Sequence, residues 1–313
     1  MKIAFFGTPY FAAAQLEHLI KEGFQISAVV TAPDKPAGRG RKLNQSAVKE
    51  VALKNGLNLL QPTNLKEVDF VNQYQSLGID IAVVVAFRML PEAIWKASKL
   101  GTFNLHASIL PSYRGAAPIQ WAIINNESQS GVTTFLIDDQ IDTGNILLQA
   151  KCEIDKEETG GSLHDKLLAL GKPLIVETIQ GLIDGKIKPR NQEESSAVVS
   201  YAPKLNKENT HLHSGLEAID AELLVRALYP FPGAHGHIQI DRKTVGAKIW
   251  KAKTADLDHD DHQGIIRVIN KSLFIRFKNT WLEVFEWQLE GKKRMFIRDF
   301  LNGNPNVHGA EWQ

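Results

Sequence analysis

The chain has 313 residues, 43% of them hydrophobic, which is too long for one small domain and enough to bury a sizeable core. Its 36 Lys and Arg against 35 Asp and Glu give a net charge of +1, which neither marks nor excludes a nucleic-acid partner. Cys152 is the one cysteine, so an intramolecular disulfide framework and a cysteine-based zinc site are excluded.

In chain order, residues 2–6 read as a short buried strand, 11–21 have helical apolar spacing, and 24–31 read as a second strand, together a βαβ unit. The start lacks the pattern of a secretory signal. No apolar stretch approaches the roughly 20 residues that span a bilayer, so a soluble cytoplasmic protein with no membrane partner is expected. Residues 81–86 (IAVVVA) are apolar on both faces, as in the middle of a parallel sheet covered by helices. The fold class expected is α/β, with a doubly wound, mostly parallel sheet. Residues 118–125 look helical, 132–137 and 146–153 look like strands, and 162–184 form a long amphipathic helix. The catalytic domain is expected to cover 1–185. Residues 186–204 are polar, proline-bearing and without periodicity, and read as an interdomain linker. From 205 to 313 a short helix near 220–228 precedes short strand-like runs at 237–240, 246–250, 264–268, 272–277 and 281–287. These suggest a small β-barrel, OB-like in size.

The chemistry-bearing segment is Phe103-Asn104-Leu105-His106-Ala107-Ser108, which runs into Leu110-Pro111-Ser112-Tyr113-Arg114-Gly115. Residues two apart on an extended segment project to one side, so Asn104 and His106 present an amide and an imidazole together. Lone histidines are more often structural. Asp138, Asp139 and Asp142 stand on a turn between two strands, which by itself reads as an ordinary acidic turn. Gly7-Thr8-Pro9 lacks the G-x-G-x-x-G of a dinucleotide loop, and Asp258-His259-Asp260-Asp261-His262 reads as a polar loop rather than a metal cluster.

Asn104, His106, Ser108, Leu110, Pro111, Asp142 and Gly144 match the pattern N-x-H-x-S-x-L-P followed by a distant D-x-G. In this the chain resembles the folate-dependent formyltransferases. The resemblance implies a Rossmann-like catalytic domain, 10-formyltetrahydrofolate as co-substrate, and no metal. An amine attacks the formyl carbon, and the carbonyl oxygen becomes an oxyanion that needs preorganised donors, a role suited to Asn104 and His106. Asp142, placed near His106 by the resemblance, would relay the amine's surplus proton through water toward the leaving N10. A covalent route has little support: there is no G-x-S-x-G elbow, and Ser108 or Cys152 would need His106 placed differently to serve as base. Cys152 lies among apolar strand residues and is expected in the core.

The resemblance assigns folate contacts to Ser108, Ile109, Leu110 and Pro111, and to Phe87, Arg88, Met89 and Leu90, outside the carboxyl ends of the parallel strands. Many members read A-Y-G-x-I-L-P at the second segment. Here it is Ala86-Phe87-Arg88-Met89-Leu90-Pro91, one residue shorter and with arginine in place of glycine. Arg88-Met89-Leu90 resembles the R-I-L of glycinamide ribonucleotide formyltransferases.

Residues 31–43 form a Pro/Gly-rich loop bearing Lys35, Arg39, Arg41 and Lys42. A charge run is ordinarily a solvated face, yet four cations on one turn suit phosphates at the end of an RNA stem. The loop resembles the P-D-[RK]-P-A-G-R-G insertion of the family members that act on methionyl-tRNA, with Arg39 as its central arginine. The resemblance continues through Arg114–Ile119, Tyr201–Leu205, Arg226–Ala234 and Lys248–Ala252, so it covers nearly the whole chain. It implies formylation of the α-amino group of methionine on a charged initiator tRNA, by a protein expected to be a monomer and not to act on DNA. Residues 205–313 would hold the tRNA, with Lys243, Lys248, Lys251, Lys253 and Arg276 as candidate backbone contacts. Two rivals are a formyltransferase for a nucleotide or amino sugar, opposed by the cationic loop and the carboxyl-terminal domain, and a non-catalytic RNA-binding protein, opposed by the intact Asn104, His106 and Asp142.

Overall fold

The computed structural model describes residues 1–37, 42–194, 198–240, 243–258, 261–303 and 307–313. They divide into two compact units. The first comprises Met1–Pro118, Ser130–Cys152 and Asp165–Ala202; the second comprises Ile119–Gln129, Glu153–His164 and Pro203–Gln313.

Among the described residues the first unit is built on a seven-stranded sheet. Its strands run in the order Ile146–Glu153, Gln129–Leu136, Thr102–His106, Ile81–Val85, Ile3–Gly7, Ile26–Val30 and Leu59–Leu60. The neighbours from Thr102–His106 to Leu59–Leu60 pair in parallel, and Gln129–Leu136 joins antiparallel, so the sheet is mostly parallel as expected. The run IAVVV is buried throughout, at 0–2% exposure. Ala82 and Val84 belong to one apolar cluster with Ala4, Phe6, Ala28 and Val30, while Val83 and Val85 point to the other face. Each buried Val, Ile or Phe contributes about 1.5–3 kcal/mol when removed from water, which is why this strand sits centrally. Tyr10–Lys21 supplies the crossover helix, burying Phe11, Ala12, Leu16 and Leu19.

Two stretches differ from the sequence reading. Of the expected linker 186–204, the described residues up to Ala202 are built into the first unit, and Pro203 and Lys204 belong to the second: Gln192 is 2% exposed, and Tyr201–Ala202 pairs in parallel with Arg114–Gly115. The reason is hydrogen bonding rather than hydrophobicity. The amides of Tyr113, Arg114 and Ala116 find their acceptors in the Ser200 hydroxyl at 2.9 Å, the Ser200 carbonyl at 2.9 Å and the Ala202 carbonyl at 2.8 Å. Conversely, Ile119–Gln129 and Glu153–His164, expected within the catalytic domain 1–185, belong to the second unit. Ile124 packs on that unit's core, the Gly161 amide donates to the Tyr229 carbonyl at 2.8 Å, and the Arg226 guanidinium donates to the Glu158 carbonyl at 3.0 Å. Cys152 is half-buried rather than enclosed.

The second unit is an antiparallel sheet. Its path runs Ile266–Ile269, Ser272–Arg276, Trp281–Leu289, Lys243–Ala255, Ala234–Ile240 and Glu311–Trp312, with Met295–Phe296 added beside Trp281–Leu289. A bridge between Ile265 and Glu311 joins the two ends of that path, supported by hydrogen bonds from Ile266 to Ala310 at 2.8 Å and from Trp312 to Gly264 at 2.7 Å. Alternate residues of each strand fill the interior, among them Ile238, Ile249, Leu282, Val284 and Trp287, and the helix Ala218–Ala227 adds Leu224 and Val225.

Candidate active site

Asn104 and His106 stand on Thr102–His106, and the register explains why both face one way. Asn104 lies beside Val84 on the parallel side and Phe135 on the antiparallel side, and His106 follows two residues on, at the carboxyl end of the parallel strands. Asn104 is half-buried, and among the described residues its side-chain amide has no hydrogen-bond partner. His106 is 7% exposed and held at one ring nitrogen, Nε2, which lies 2.9 Å from the Tyr113 carbonyl oxygen; Nδ1 faces Oδ2 of Asp142 at 3.7 Å. A carbonyl only accepts, so Nε2 carries a proton and donates.

Asp142 reaches His106 because its turn is tightly made. Oδ2 accepts from the Gly115 amide at 2.8 Å, and the residue itself adopts φ +57°, unusual for a side chain with a Cβ. Gly144 follows because nothing larger fits: a Cβ there would lie 1.7 Å from the Leu136 carbonyl oxygen. Asp138, by contrast, is an ordinary turn carboxylate, accepting from Thr143 Oγ1 at 2.7 Å and from the Gln140 amide at 3.1 Å. Ser108 donates to the Ser112 carbonyl at 2.6 Å, and both nitrogens of His106 are directed elsewhere, so no base addresses this hydroxyl. The sequence reading missed the backbone partners Tyr113 and Gly115, and it missed Gln192, whose amide bonds the carbonyls of Asp142 and Gly144. Tyr113 and Gly115 lie in the chemistry-bearing segment but carry no local sign of a backbone role, and no local signal points to Gln192.

The residues assigned to folate divide by exposure. Met89 is 63% exposed, Arg88 is exposed, and Phe87 and Ile109 are half-buried, whereas Leu90, Ser108, Leu110 and Pro111 are buried. Leu110 packs with Phe135 and Ile146, its amide donates to Thr133 Oγ1 at 3.1 Å, and its carbonyl accepts from Gln149 at 2.9 Å. It is scaffold. Arg88 donates to the carbonyls of Pro62 and Thr63, and its guanidinium lies 5.5 Å from the centre of the Phe87 ring. The arginine that replaces glycine is therefore committed to a neighbouring loop.

Of the cationic loop, Arg39 and Arg41 lie outside the described residues, and so do His259 and Asp260. Lys35 is exposed at the start of a hairpin, Lys35–Ala37 against Lys42–Asn44, in which the backbone of Lys42 pairs with Ala37. The root of the hairpin is braced by Asp34, which accepts from Lys49 Nζ at 2.6 Å and Gln61 Nε2 at 3.0 Å. The Lys49 bond, then the Gln61 bond, holds the Asp34 carboxyl below its usual range.

In the second unit Lys243 and Lys251 are exposed. Lys248 is occupied, donating to the Pro232 carbonyl at 2.7 Å, and Lys253 pairs with Glu157 at 3.1 Å. The Arg276 guanidinium lies 5.9 Å from the centre of the Trp281 ring. Lys251 and Lys253 border a cleft of about 870 Å³ that Tyr229, Trp250 and Phe296 also line. In the 258–262 loop, Asp261 binds the Arg267 guanidinium at 2.6 and 2.9 Å, and His262 lies 3.4 Å from Glu311. Among the described residues no three metal-ligating side chains converge, and no helix is long and apolar enough to cross a membrane.

Comparisons with known proteins bear on this geometry. The formyl transferase family profile matches residues 1–179, and the profile of the formyl transferase C-terminal domain matches residues 204–305. The chain is 44% identical to a methionyl-tRNA formyltransferase of Flavobacterium johnsoniae, covering 97% of this chain and 96% of that one. It is 40% identical to the methionyl-tRNA formyltransferase of Caldanaerobacter subterraneus, with 99% of both covered. Among solved structures, the N-formyltransferase from Helicobacter canadensis, crystallised with folinic acid and dTDP-3-aminofucose, superposes with a TM-score of 0.66 at 21% identity. That match covers 94% of this chain and all of that one, and at such identity it speaks for the fold.

Proposed function

Since the chain belongs to the formyl transferase family, in the company of methionyl-tRNA formyltransferases, we propose that it carries the formyl group of 10-formyltetrahydrofolate to the α-amino group of methionine on initiator tRNA. The observation that supports this most is the meeting of Asn104, His106 and Asp142, two on one strand face and the third folded against the imidazole. The α-amine attacks the formyl carbon. Negative charge moves onto the carbonyl oxygen, where the uncommitted Asn104 amide donates directly and His106 stands beside it. The ammonium formed by attack must lose a proton before N10 departs; Asp142 takes it up through water and returns it to N10. The gap of 3.7 Å between Asp142 and His106 is longer than a hydrogen bond, and such contacts tighten when the reacting groups bind.

Phe87, Met89 and Ile109 form the surface offered to the folate, with Leu90, Ser108, Leu110 and Pro111 fixing the segments that carry them. The hairpin loop with Lys35, Arg39, Arg41 and Lys42 docks on the acceptor stem. The second unit, read as an OB-like barrel, holds the tRNA through the exposed Lys243 and Lys251. The first unit then serves as the catalytic part and the second, with Ile119–Gln129 and Glu153–His164 built into it, as the tRNA-holding part, in a cytoplasmic monomer. One assay tests the whole reading. The full chain is incubated with formyl folate and, in separate reactions, charged initiator tRNA, free methionine or a nucleotide-linked amino sugar; only the first should become formylated, and formylation of the sugar instead would overturn the acceptor.

A further inference from the structure

Gln192 lies in the stretch whose composition reads as a linker, yet every hydrogen-bonding position of its amide is used. Oε1 accepts from one guanidinium twice, from Arg114 Nε at 3.1 Å and from Nη2 at 2.7 Å. A guanidinium only donates, so this pairing fixes which end of the amide is oxygen. Nε2 then donates both its protons, to the Asp142 carbonyl at 3.0 Å and to the Gly144 carbonyl at 2.7 Å.

Asp142 is a residue that needs holding. Its φ of +57° lies in the left-handed region, which aspartate tolerates better than most side chains but at some cost, so the contacts that fix the turn decide where its carboxylate points. Gln192 grips the backbone of that turn at two carbonyls, while the Gly115 amide grips the carboxylate. Gly115 is in turn fixed by its pairing with Ala202, on the same stretch of chain as Gln192. Gln192 thus holds the backbone side of Asp142, while Ala202, through Gly115, supports the carboxylate side.

We infer that Gln192 is a positioning residue for formyl transfer: through the Asp142 and Gly144 carbonyls it holds the left-handed turn and so sets where the Asp142 carboxylate stands against His106. The inference rests on the reading of Asp142 as the carboxylate that relays the proton. Gln192 itself touches neither His106 nor any reacting atom. Its role depends on two N–H donors that glutamate lacks; Gln192→Glu keeps an oxygen for Arg114 but sets a second oxygen against two carbonyls.

The test uses the full chain. Gln192→Glu should lower kcat for charged tRNA about 10- to 100-fold, the scale on which outer partners of reacting groups act, while KM for tRNA and for formyl folate moves by less than about 2-fold. In an Asp142→Asn background the same substitution should cost less than about 2-fold, because the carboxylate it positions has gone. Unchanged kcat, or a full further loss on top of Asp142→Asn, overturns the inference. If the glutamate variant fails to fold, Gln192→Asn, with the same amide on a shorter stem, carries both expectations. The ring ¹⁵N resonances of His106 give a readout independent of activity: they should move in the Gln192 variant, and unmoved resonances overturn the positioning role. A parent chain that formylates no acceptor would instead count against the reading of Asp142, with the resonances still deciding the geometry.

Discussion

Oδ2 of Asp142 stands 3.7 Å from Nδ1 of His106 and accepts a 2.8 Å hydrogen bond from the Gly115 amide. One carboxylate oxygen therefore answers both to the loop that carries Gly115 and to the imidazole on the central sheet.

Asp142→Asn tests the charge without dismantling that contact, since an asparagine oxygen still accepts from Gly115. Turnover with charged tRNA should fall by at least about two orders of magnitude, the scale of acid–base catalysis, with a melting temperature near that of the parent. Steady-state formylation and thermal unfolding measure the two. Near-normal turnover would remove Asp142 from the proton relay.

Asn104 has a different signature because its amide is uncommitted. Asn104→Ala should lower kcat about 10²–10³-fold, as loss of one oxyanion donor does, and leave the affinity for tRNA nearly intact. If affinity falls as far as kcat, the amide binds substrate in the ground state rather than stabilising the oxyanion.

Gly144→Ala introduces a methyl 1.7 Å from the Leu136 carbonyl oxygen, which is backbone and cannot step aside. A loss of stability of about 1–3 kcal/mol or more is expected, with activity falling alongside it. Denaturant unfolding checks this, and an unchanged midpoint would show that the turn has slack.

The second-unit lysines should separate into two kinds. Lys243→Ala and Lys251→Ala should each weaken tRNA binding and reduce the salt slope by about one, with the melting temperature unmoved. Lys248→Ala removes the bond to the Pro232 carbonyl and should cost about 1–2 kcal/mol of stability instead. Binding measured across a salt series, beside unfolding curves, discriminates them.

His211, His213, His235 and His237 crowd together in the second unit, with ring centres 5.5–5.9 Å from that of His211. Burial first, then the neighbouring imidazoles His213 and His237, holds His211 below its usual 6.5; burial, then His211, Lys248, His237 and Lys207, does the same to His235. The unfolded chain consequently takes up protons at a pH where the folded unit still refuses them. The second unit's stability should be complete above about pH 6.5 and decline as pH falls below it. Its melting temperature should drop from about pH 7.5 to about pH 5, and His211→Asn with His235→Asn should flatten the decline. A flat profile in the parent would mean the cluster gives way without cost.

The local periodicities were legible in the amino-acid order. IAVVV could only be a central strand, and the two-residue spacing of Asn104 and His106 placed both on one face, because strand geometry repeats every two residues whatever lies around it. Five of the strands after residue 233 were legible for the same reason, though not their antiparallel pairing nor the short Met295–Phe296 and Glu311–Trp312, and Lys243–Ala255 ran longer than its apolar stretch indicated because cross-strand pairing extends past it. That Asp142 meets His106 was implied by resemblance and not by its local sequence; tertiary structure alone decided that Tyr113 and Gly115 would offer backbone groups to that pair, and that Gln192 and Tyr201–Ala202 would bind the loops beside them. Such contacts are hydrogen bonds between residues far apart in sequence, and a polar segment such as the one holding Gln192 has no periodicity to announce its partners. Its conformation follows from which distant amides and carbonyls lack a mate, and that is settled only when the sheet and its loops have come together.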